Sequence, residues 1–282
     1  MSILFPTDFS EHSAKTFGFA LDLAKKLNET ITLVHIYPVP LNYATADETR
    51  LGDLSEELIN ITESAVEDRL RQFKTDLQDR YGSNYPELVR VNGILRMGFV
   101  GEEIARAADE INASYIVIGA KKPTGIKRFL GGSDVGAIIK KSNVPVFTVP
   151  EDYHFRSIDK IGFATDLTYN DNEVIARLLS LSEQLGSVIK CFHVHNSNLE
   201  VENAIIGDFI ERYKNEANNR SITFELVDNV NVTDGIDYYV KNHDIDLLVV
   251  IKQKTYWLDI FESSVTKKLV FHENVPMLIY HD

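Results

Sequence analysis

Glycine, serine and lysine occur in one stretch of the chain in an order that suits contact with a phosphate or another small anion. Gly119 begins this stretch, Lys122 follows, and Gly132-Ser133-Asp134 ends it. Glycine lets a backbone approach a phosphate closely, and a helix that begins after Ser133 would offer free N–H groups and a positive dipole end. Four basic residues add charge, namely Lys121, Lys122, Lys127 and Arg128. The stretch predicts an anion site, although an ordinary connecting loop can share this composition.

Two other segments end predicted strands and are expected at the same place. Pro6-Thr7-Asp8 follows a short apolar run, and Ile36 lies near the end of the next one, 31–37. In an open parallel sheet, ligands bind outside the carboxyl ends of the strands, where the strand order reverses. We therefore expect these residues to meet the glycine stretch at one edge of a sheet.

The whole arrangement occurs twice in the chain. Pro6-Thr7-Asp8-Phe9-Ser10 recurs as Ala164-Thr165-Asp166-Leu167-Thr168. Each aspartate is followed after 20 residues by Asn or Gly and after 27 by His, at Asn28 and His35 in the first copy and Gly186 and His193 in the second. Asn-Val-Pro closes both copies, at 143–145 and 274–276. So long a period indicates a duplicated domain, and we predict domains at 1–150 and 151–282.

Apolar runs alternate with segments of helical periodicity, which is typical of βαβ units. The first copy predicts strands at 3–5, 31–37, 88–95, 115–118 and 144–149, with helices at 14–27, 54–77, 100–111 and 134–141. The second predicts strands at 158–163, 188–194, 222–227, 247–251 and 277–280, with helices at 173–185, 204–218, 234–242 and 265–270. The predicted fold is α/β, with two tandem, open-twisted, parallel five-stranded sheets of Rossmann-like type. Ser10 is placed to cap the first helix, and Asn28, matched by Gly186, to end it in the left-handed conformation.

Three segments together resemble the universal stress protein family, as two tandem copies over nearly the whole chain. They are Pro6-Thr7-Asp8-Phe9-Ser10, the spacing Gly119-x2-Lys122-x9-Gly132-Ser133, and the closing run 144–149. The family pattern is Gly-x2-Gly-x9-Gly-Ser/Thr. The resemblance implies an adenine-nucleotide alpha hydrolase-like domain in which Asp8 holds adenine or its surroundings and Ile36 flanks the base. It also implies that the glycine stretch holds ribose and phosphates.

The resemblance therefore implies ATP or a related adenine nucleotide as ligand, with or without magnesium. The expected binding residues are Pro6, Thr7, Asp8, Ile36, Gly119, Lys122, Gly132, Ser133 and Asp134. Domains of the family pair through their last strands, which implies pairing of 144–149 with 275–280 in an intramolecular pseudo-dimer. A further homodimer stays open.

The chain departs from the family pattern at Lys122, which occupies the second glycine. If that position needs a positive φ, lysine costs about 1 kcal/mol or more, whereas its ammonium would supply charge to a phosphate. In the second copy the glycines are lost, because Ile251, Lys254, Ser263 and Ser264 stand at the corresponding positions. Asp166 is then expected to accept N–H groups of its own turn, with a more apolar ligand near Tyr256 and Trp257 as the alternative.

Composition and charge restrict the class of protein. A net charge of −13 argues against a nucleic-acid partner. No apolar run is long enough to cross a bilayer and the start of the chain does not look like a signal peptide, so we expect a cytoplasmic protein. The single cysteine, Cys191, excludes an internal disulfide and is expected to be buried.

Motifs for catalysis and metal binding give weaker signals. His193 and His195 alternate on a strand, but a third ligand at a telling spacing is lacking. Neither a P-loop nor a Gly-x-Ser-x-Gly elbow occurs. We therefore predict a stress-response regulatory protein that binds nucleotide in its first domain, acts on an unidentified protein partner and is not a dedicated enzyme. The alternatives are a nucleotide-free scaffold and a slow ATPase.

Overall fold

The computed structural model describes residues 2–38, 52–85, 91–120, 134–151, 153, 157–167, 171–195, 199–219, 221–252 and 275–281. The chain folds into two compact units. The first unit comprises Met1–Ile118 with Gly132–Val144, and the second comprises Gly119–Gly131 with Pro145–Asp282.

The first unit is a parallel sheet in the order β3-β2-β1-β4, with helices in the connections. Its strands are β1 (Ser2–Pro6), β2 (Thr30–Tyr37), β3 (Asn92–Met97) and all but the last two residues of β4 (Ala113–Ala120). Its helices are α1 (Glu11–Leu27), α2 (Gly52–Tyr81), α3 (Val100–Glu110) and α4 (Asp134–Lys141). The strand order reverses between β1 and β4, which is where ligands bind in sheets of this kind.

In the second unit, the described residues form six strands in the order β5-β10-β9-β6-β7-β8. They are β5 (Val146–Pro150), β6 (Lys160–Ala164), β7 (Val188–His195), β8 (Ile222–Asp228), β9 (Leu247–Lys252) and β10 (Met277–His281). The helices are α5 (Asp171–Leu185), α6 (Leu199–Arg212), α7 (Lys214–Asn218) and α8 (Val232–Asn242). All strand pairs are parallel except β5 with β10, which is antiparallel with Thr148 opposite Met277. The predicted pairing of the two closing strands is therefore confirmed.

The predicted α/β class with mostly parallel strands is confirmed, and each copy contributes five strands to the described part of the chain. Some element ends differ from the prediction for physical reasons. β5 starts only at Val146, because Pro145 lacks the N–H that a ladder needs. β3 extends to Met97 because it pairs with β2 as far as Tyr37. The segment predicted as one helix at 204–218 is two helices separated at Tyr213, and the helix predicted at 265–270 lies outside the described residues.

The core of each unit consists of apolar strand residues under amphipathic helices. In β1, Ile3, Leu4 and Phe5 are fully buried, as a strand covered on both faces requires. Both copies end their first helix as predicted, with Asn28 at φ 53° and Gly186 at φ 74°. Because glycine and asparagine tolerate this left-handed conformation, the chain can turn sharply back into the next strand in each copy.

Candidate functional site

Thr7 fastens the end of β1 to the neighbouring strand. Its N–H donates to the Val34 carbonyl at 2.9 Å, and its own carbonyl lies 2.7 Å from Nδ1 of His35. The Thr7 hydroxyl oxygen accepts the N–H of Phe9 at 3.0 Å. These bonds of Thr7 therefore fix the direction in which the chain leaves the sheet.

Asp8 is exposed directly after this fastening point, at the carboxyl edge of β1. Its carboxylate accepts the N–H of Ser10 at 3.0 Å and also the Ser10 hydroxyl. Ser10 Oγ in turn accepts the Ser13 N–H at 3.2 Å and so caps α1, as predicted. The start of α1 therefore holds the Asp8 carboxylate in place at the carboxyl edge of β1.

Phe9 adopts a backbone conformation that is unusual for an aromatic residue, with φ at 61°. A left-handed residue with a bulky side chain costs about 1–2 kcal/mol and persists only when its surroundings hold it. Here the ring stacks on His35 with centroids 4.1 Å apart, and it packs against Phe73 at 5.6 Å. Ring packing and the hydrogen bond to Thr7 offset the strain beside the candidate binding residues.

His35 lies half-buried beside the turn, against Thr7 and Phe9. Because a carbonyl oxygen only accepts, Nδ1 carries the proton that is donated to Thr7. Burial lowers the pKa of His35, and the positive charge of Arg69 lowers it further. The hydrogen bond to Thr7 and the negative charge of Asp8 act in the opposite direction. His35 is thus a neutral donor at neutral pH that supports the turn.

The other predicted site residues are distributed over three elements. Ile36, next to His35, is half-buried near the end of β2, and Gly119 lies near the end of β4. Asp134 is the exposed first residue of α4. Lys122, Gly132 and Ser133 lie outside the described residues. The structure therefore brings Pro6, Thr7 and Asp8 beside the strand that carries Ile36, and the role of the glycine stretch stays a prediction.

The second copy reproduces three hydrogen bonds of the turn. The Thr165 N–H donates to Phe192 at 3.0 Å, His193 Nδ1 lies 2.8 Å from the Thr165 carbonyl, and Thr165 Oγ1 accepts the Leu167 N–H at 2.9 Å. Leu167 has φ at 63°, close to the value at Phe9. The recurring histidine predicted from the sequence thus has the same hydrogen-bonding role in both copies.

One buried group distinguishes the two turns. In the first copy the Ser13 hydroxyl donates to Thr7 Oγ1 at 2.9 Å. At the matching position the second copy has Asp171, which is 2% exposed and accepts the Thr165 hydroxyl. The second turn therefore has a carboxyl group behind it where the first has a hydroxyl. Sequence comparison of the copies at this offset would have found the difference.

An Arg-Tyr pair holds the start of the first helix in each copy, and our sequence interpretation did not include it. Arg80 donates to both carboxylate oxygens of Glu11 at 2.9 and 2.8 Å, and the Tyr81 hydroxyl donates to the Ala14 carbonyl at 3.0 Å. In the second copy the pair Arg212 and Tyr213 donates to Asn172 Oδ1 at 2.6 and 2.9 Å. The recurrence of Arg-Tyr at the end of a helix was the available signal.

Within the described ranges, no group of three or more His, Cys, Asp or Glu side chains is arranged to hold a metal ion. His193, one of the two histidines weighed as metal ligands, bonds to the Thr165 carbonyl instead. Over the same described ranges, no helix is long and apolar enough to span a membrane.

The protein is a Rossmann-like α/β protein built from two copies of one unit. Three features define this class: a mostly parallel sheet, a reversal of strand order between β1 and β4, and a threonine-aspartate turn that occurs in both copies. The model of the universal stress protein family matches residues 1–150. The chain therefore belongs to the universal stress protein family, whose members are stress-response proteins.

Relatives and solved structures agree with this assignment. Universal stress protein MJ0577 of Methanocaldococcus jannaschii is 27% identical over 158 residues, which cover 52% of this chain and 93% of the relative. Stress response protein NhaX of Bacillus subtilis is 24% identical over 166 residues, with 52% and 96% covered. A crystal structure of a universal stress protein from Archaeoglobus fulgidus covers 99% of this chain and 96% of its own, with a TM-score of 0.64 and 15% identity. At that identity the structure supports the fold alone.

Proposed function

We propose that this protein is a stress-response regulator that binds ATP or a related adenine nucleotide in its first copy and lacks a dedicated catalytic site. The observation that carries the proposal is the Thr7-Asp8 turn, which is fastened to β2 and presents an exposed carboxylate beside the strand-order reversal. Asp8 would receive donors of the adenosine part, and Ile36 would flank the base. The stretch from Gly119 to Ser133 would hold phosphates, with Lys122 supplying charge and Asp134 opening the following helix.

Calorimetric titration with ATP and magnesium tests the proposal. We expect one site per chain, because the second copy lacks the glycines. Asp8→Ala should weaken binding at least about tenfold, since a hydrogen bond to a charged group contributes roughly 1.5–3 kcal/mol. The matched control is Asp166→Ala, which removes the equivalent exposed carboxylate from the second turn and should leave the affinity unchanged.

Gly132→Trp, which would fill the predicted phosphate cradle, should also abolish the heat. No heat at millimolar ATP in the wild-type protein would refute nucleotide binding and favour the nucleotide-free scaffold. Phosphate release above that of a Lys122→Glu variant would favour the slow ATPase instead. Repeating the titration with EDTA shows whether magnesium contributes.

The proposal also places the protein in the cytoplasm. The two halves of one chain form a pseudo-dimer, and two chains assemble into a homodimer. Nucleotide binding changes this assembly and so changes the surface offered to a protein partner. A ligand shifts such an assembly only by binding its two states with different affinity. Light scattering with and without ATP measures this directly, and an unchanged monomer mass in both conditions would contradict it.

A further inference from the structure

The strained turn of the first copy has a cationic side chain over it that the binding pattern does not include. Cζ of Arg69, in α2, lies 5.2 Å from the centroid of the Phe9 ring. The same ring stacks on His35 at 4.1 Å with an interplanar angle of 28°. His35, Phe9 and Arg69 thus form a contiguous layer, which we call the Phe9 layer, beside Asp8.

The Phe9 layer belongs to the copy that has the glycine stretch. The second copy keeps the histidine and the left-handed turn, yet Leu167 replaces the aromatic ring. The turn backbone therefore forms without an aromatic residue. In the first copy the packing of Phe9 on His35 and Phe73 offsets the strain, but that packing does not require a cation over the ring. Arg69 is therefore available for a role in binding.

Arg69 has chemistry to offer a ligand. Its side chain is exposed, and among the described residues it forms no ion pair, unlike Arg71 on the same helix, which pairs with Asp68 at 2.8 Å. A guanidinium group is planar, stacks on aromatic faces and donates hydrogen bonds in its plane. Arg69 therefore combines an accessible flat cation with a position next to the acidic residue of the site.

We propose that Arg69, supported by the Phe9 layer, is a recognition residue that contacts the adenine base of the bound nucleotide. This inference rests on the proposed function. Asp8, beside the layer, is the residue assigned to the adenine end, whereas the phosphates are assigned to the glycine stretch. A planar cation near the base attracts its π face and donates to its ring nitrogens. The contact should thus be independent of the number of phosphates.

The test compares Arg69→Gln with Arg71→Gln by calorimetric titration with ATP, ADP, AMP and adenosine. We expect Arg69→Gln to weaken all four ligands by the same factor, about three- to tenfold for a cation–π contact. Arg71→Gln, a matched exposed substitution two residues away, should bind as the wild type does. Phe9→Leu, which installs the residue of the second copy, should weaken all four ligands in the same way.

Three results would overturn the inference in distinguishable ways. If Arg69→Gln binds like the wild type, base recognition by Arg69 is wrong and the proposed function stands. If the loss grows with the number of phosphates, Arg69 contacts the phosphate end instead. If wild-type protein binds none of the four ligands, both the proposed function and this inference fail.

An NMR titration of His35 in ligand-free protein checks the geometry separately. Because Arg69 lowers the pKa of His35, Arg69→Gln should raise it and Arg71→Gln should not. An unchanged value in Arg69→Gln would show that the side chain does not occupy the layer.

Discussion

Gly101, at the start of α3, lies close to the backbone of α4, and replacing it with alanine gives a quantitative test of the packing of these two helices. A Cβ atom at Gly101 would lie 2.9 Å from the carbonyl carbon, the oxygen and the Cβ of Ala137. Real Cβ contacts are essentially never this short, and backbone atoms cannot rotate away. One helix must therefore move relative to the other.

The magnitude follows from two opposing effects. Inserting a carbon into a well-packed contact costs about 1–3 kcal/mol, whereas alanine in a helix gains up to about 1 kcal/mol over glycine. Together they lower the free energy of unfolding by about 0–3 kcal/mol, and the middle of that range, about 1–2 kcal/mol, corresponds to a drop in Tm of roughly 2–8 °C. Because α4 begins at Asp134, directly after the glycine stretch, nucleotide affinity should fall as well.

Thermal unfolding followed by calorimetry, with ATP titration of each variant, measures both effects. Gly207→Ala is the matched control, since Gly207 lies within α6 and nothing lies within 4 Å of a Cβ there. It should gain about 0.5–1 kcal/mol from helix propensity and leave nucleotide affinity unchanged. If Gly101→Ala proved as stable as Gly207→Ala, the close approach of α3 and α4 would be refuted.

Three further predictions concern buried or bonded groups. Burial raises the pKa of the Cys191 thiol. Ellman's reagent should therefore find no reactive thiol in the native protein at pH 8 and one thiol per chain in guanidinium. Rapid labelling of the native protein would contradict this prediction. The pKa of His35 in the folded protein is below its ordinary value of 6.5. The unfolded chain therefore binds a proton at His35 more readily than the folded protein does. The free energy of unfolding should thus fall as the pH decreases through 6.5. His35→Gln should reduce that loss in urea unfolding at pH 7.5 and 5.5, and an identical loss would exclude His35 as its source. Asn172→Ala leaves Arg212 and Tyr213 without their shared acceptor. Because these bonds are exposed or only partly buried, the loss should be about 0.5–1.5 kcal/mol in urea unfolding, and a wild-type midpoint would contradict it.

Local patterns in the sequence predicted much of the fold. Alternating apolar runs and helical periodicity located the strands and helices, because strand burial and helix faces depend on neighbouring residues. Asn28 and Gly186 could be assigned to left-handed helix ends because that backbone requirement is local. For the candidate site, the turn residues and the recurring histidine were identified from spacing, while Lys122, Gly132 and Ser133 remain predictions.

By itself, the sequence determined that one pattern occurs twice, that each copy is α/β, and that the two copies differ at the positions of the predicted site. Only the tertiary structure decided which side chains meet across long separations. Tyr81 reaches Ala14 over 67 residues, Arg69 lies over Phe9, and β5 joins the unit of β10. It also decided that Thr7 accepts a hydroxyl where Thr165 donates to Asp171. Such contacts depend on packing of elements that are distant in the chain, which local periodicity and turn preferences do not encode.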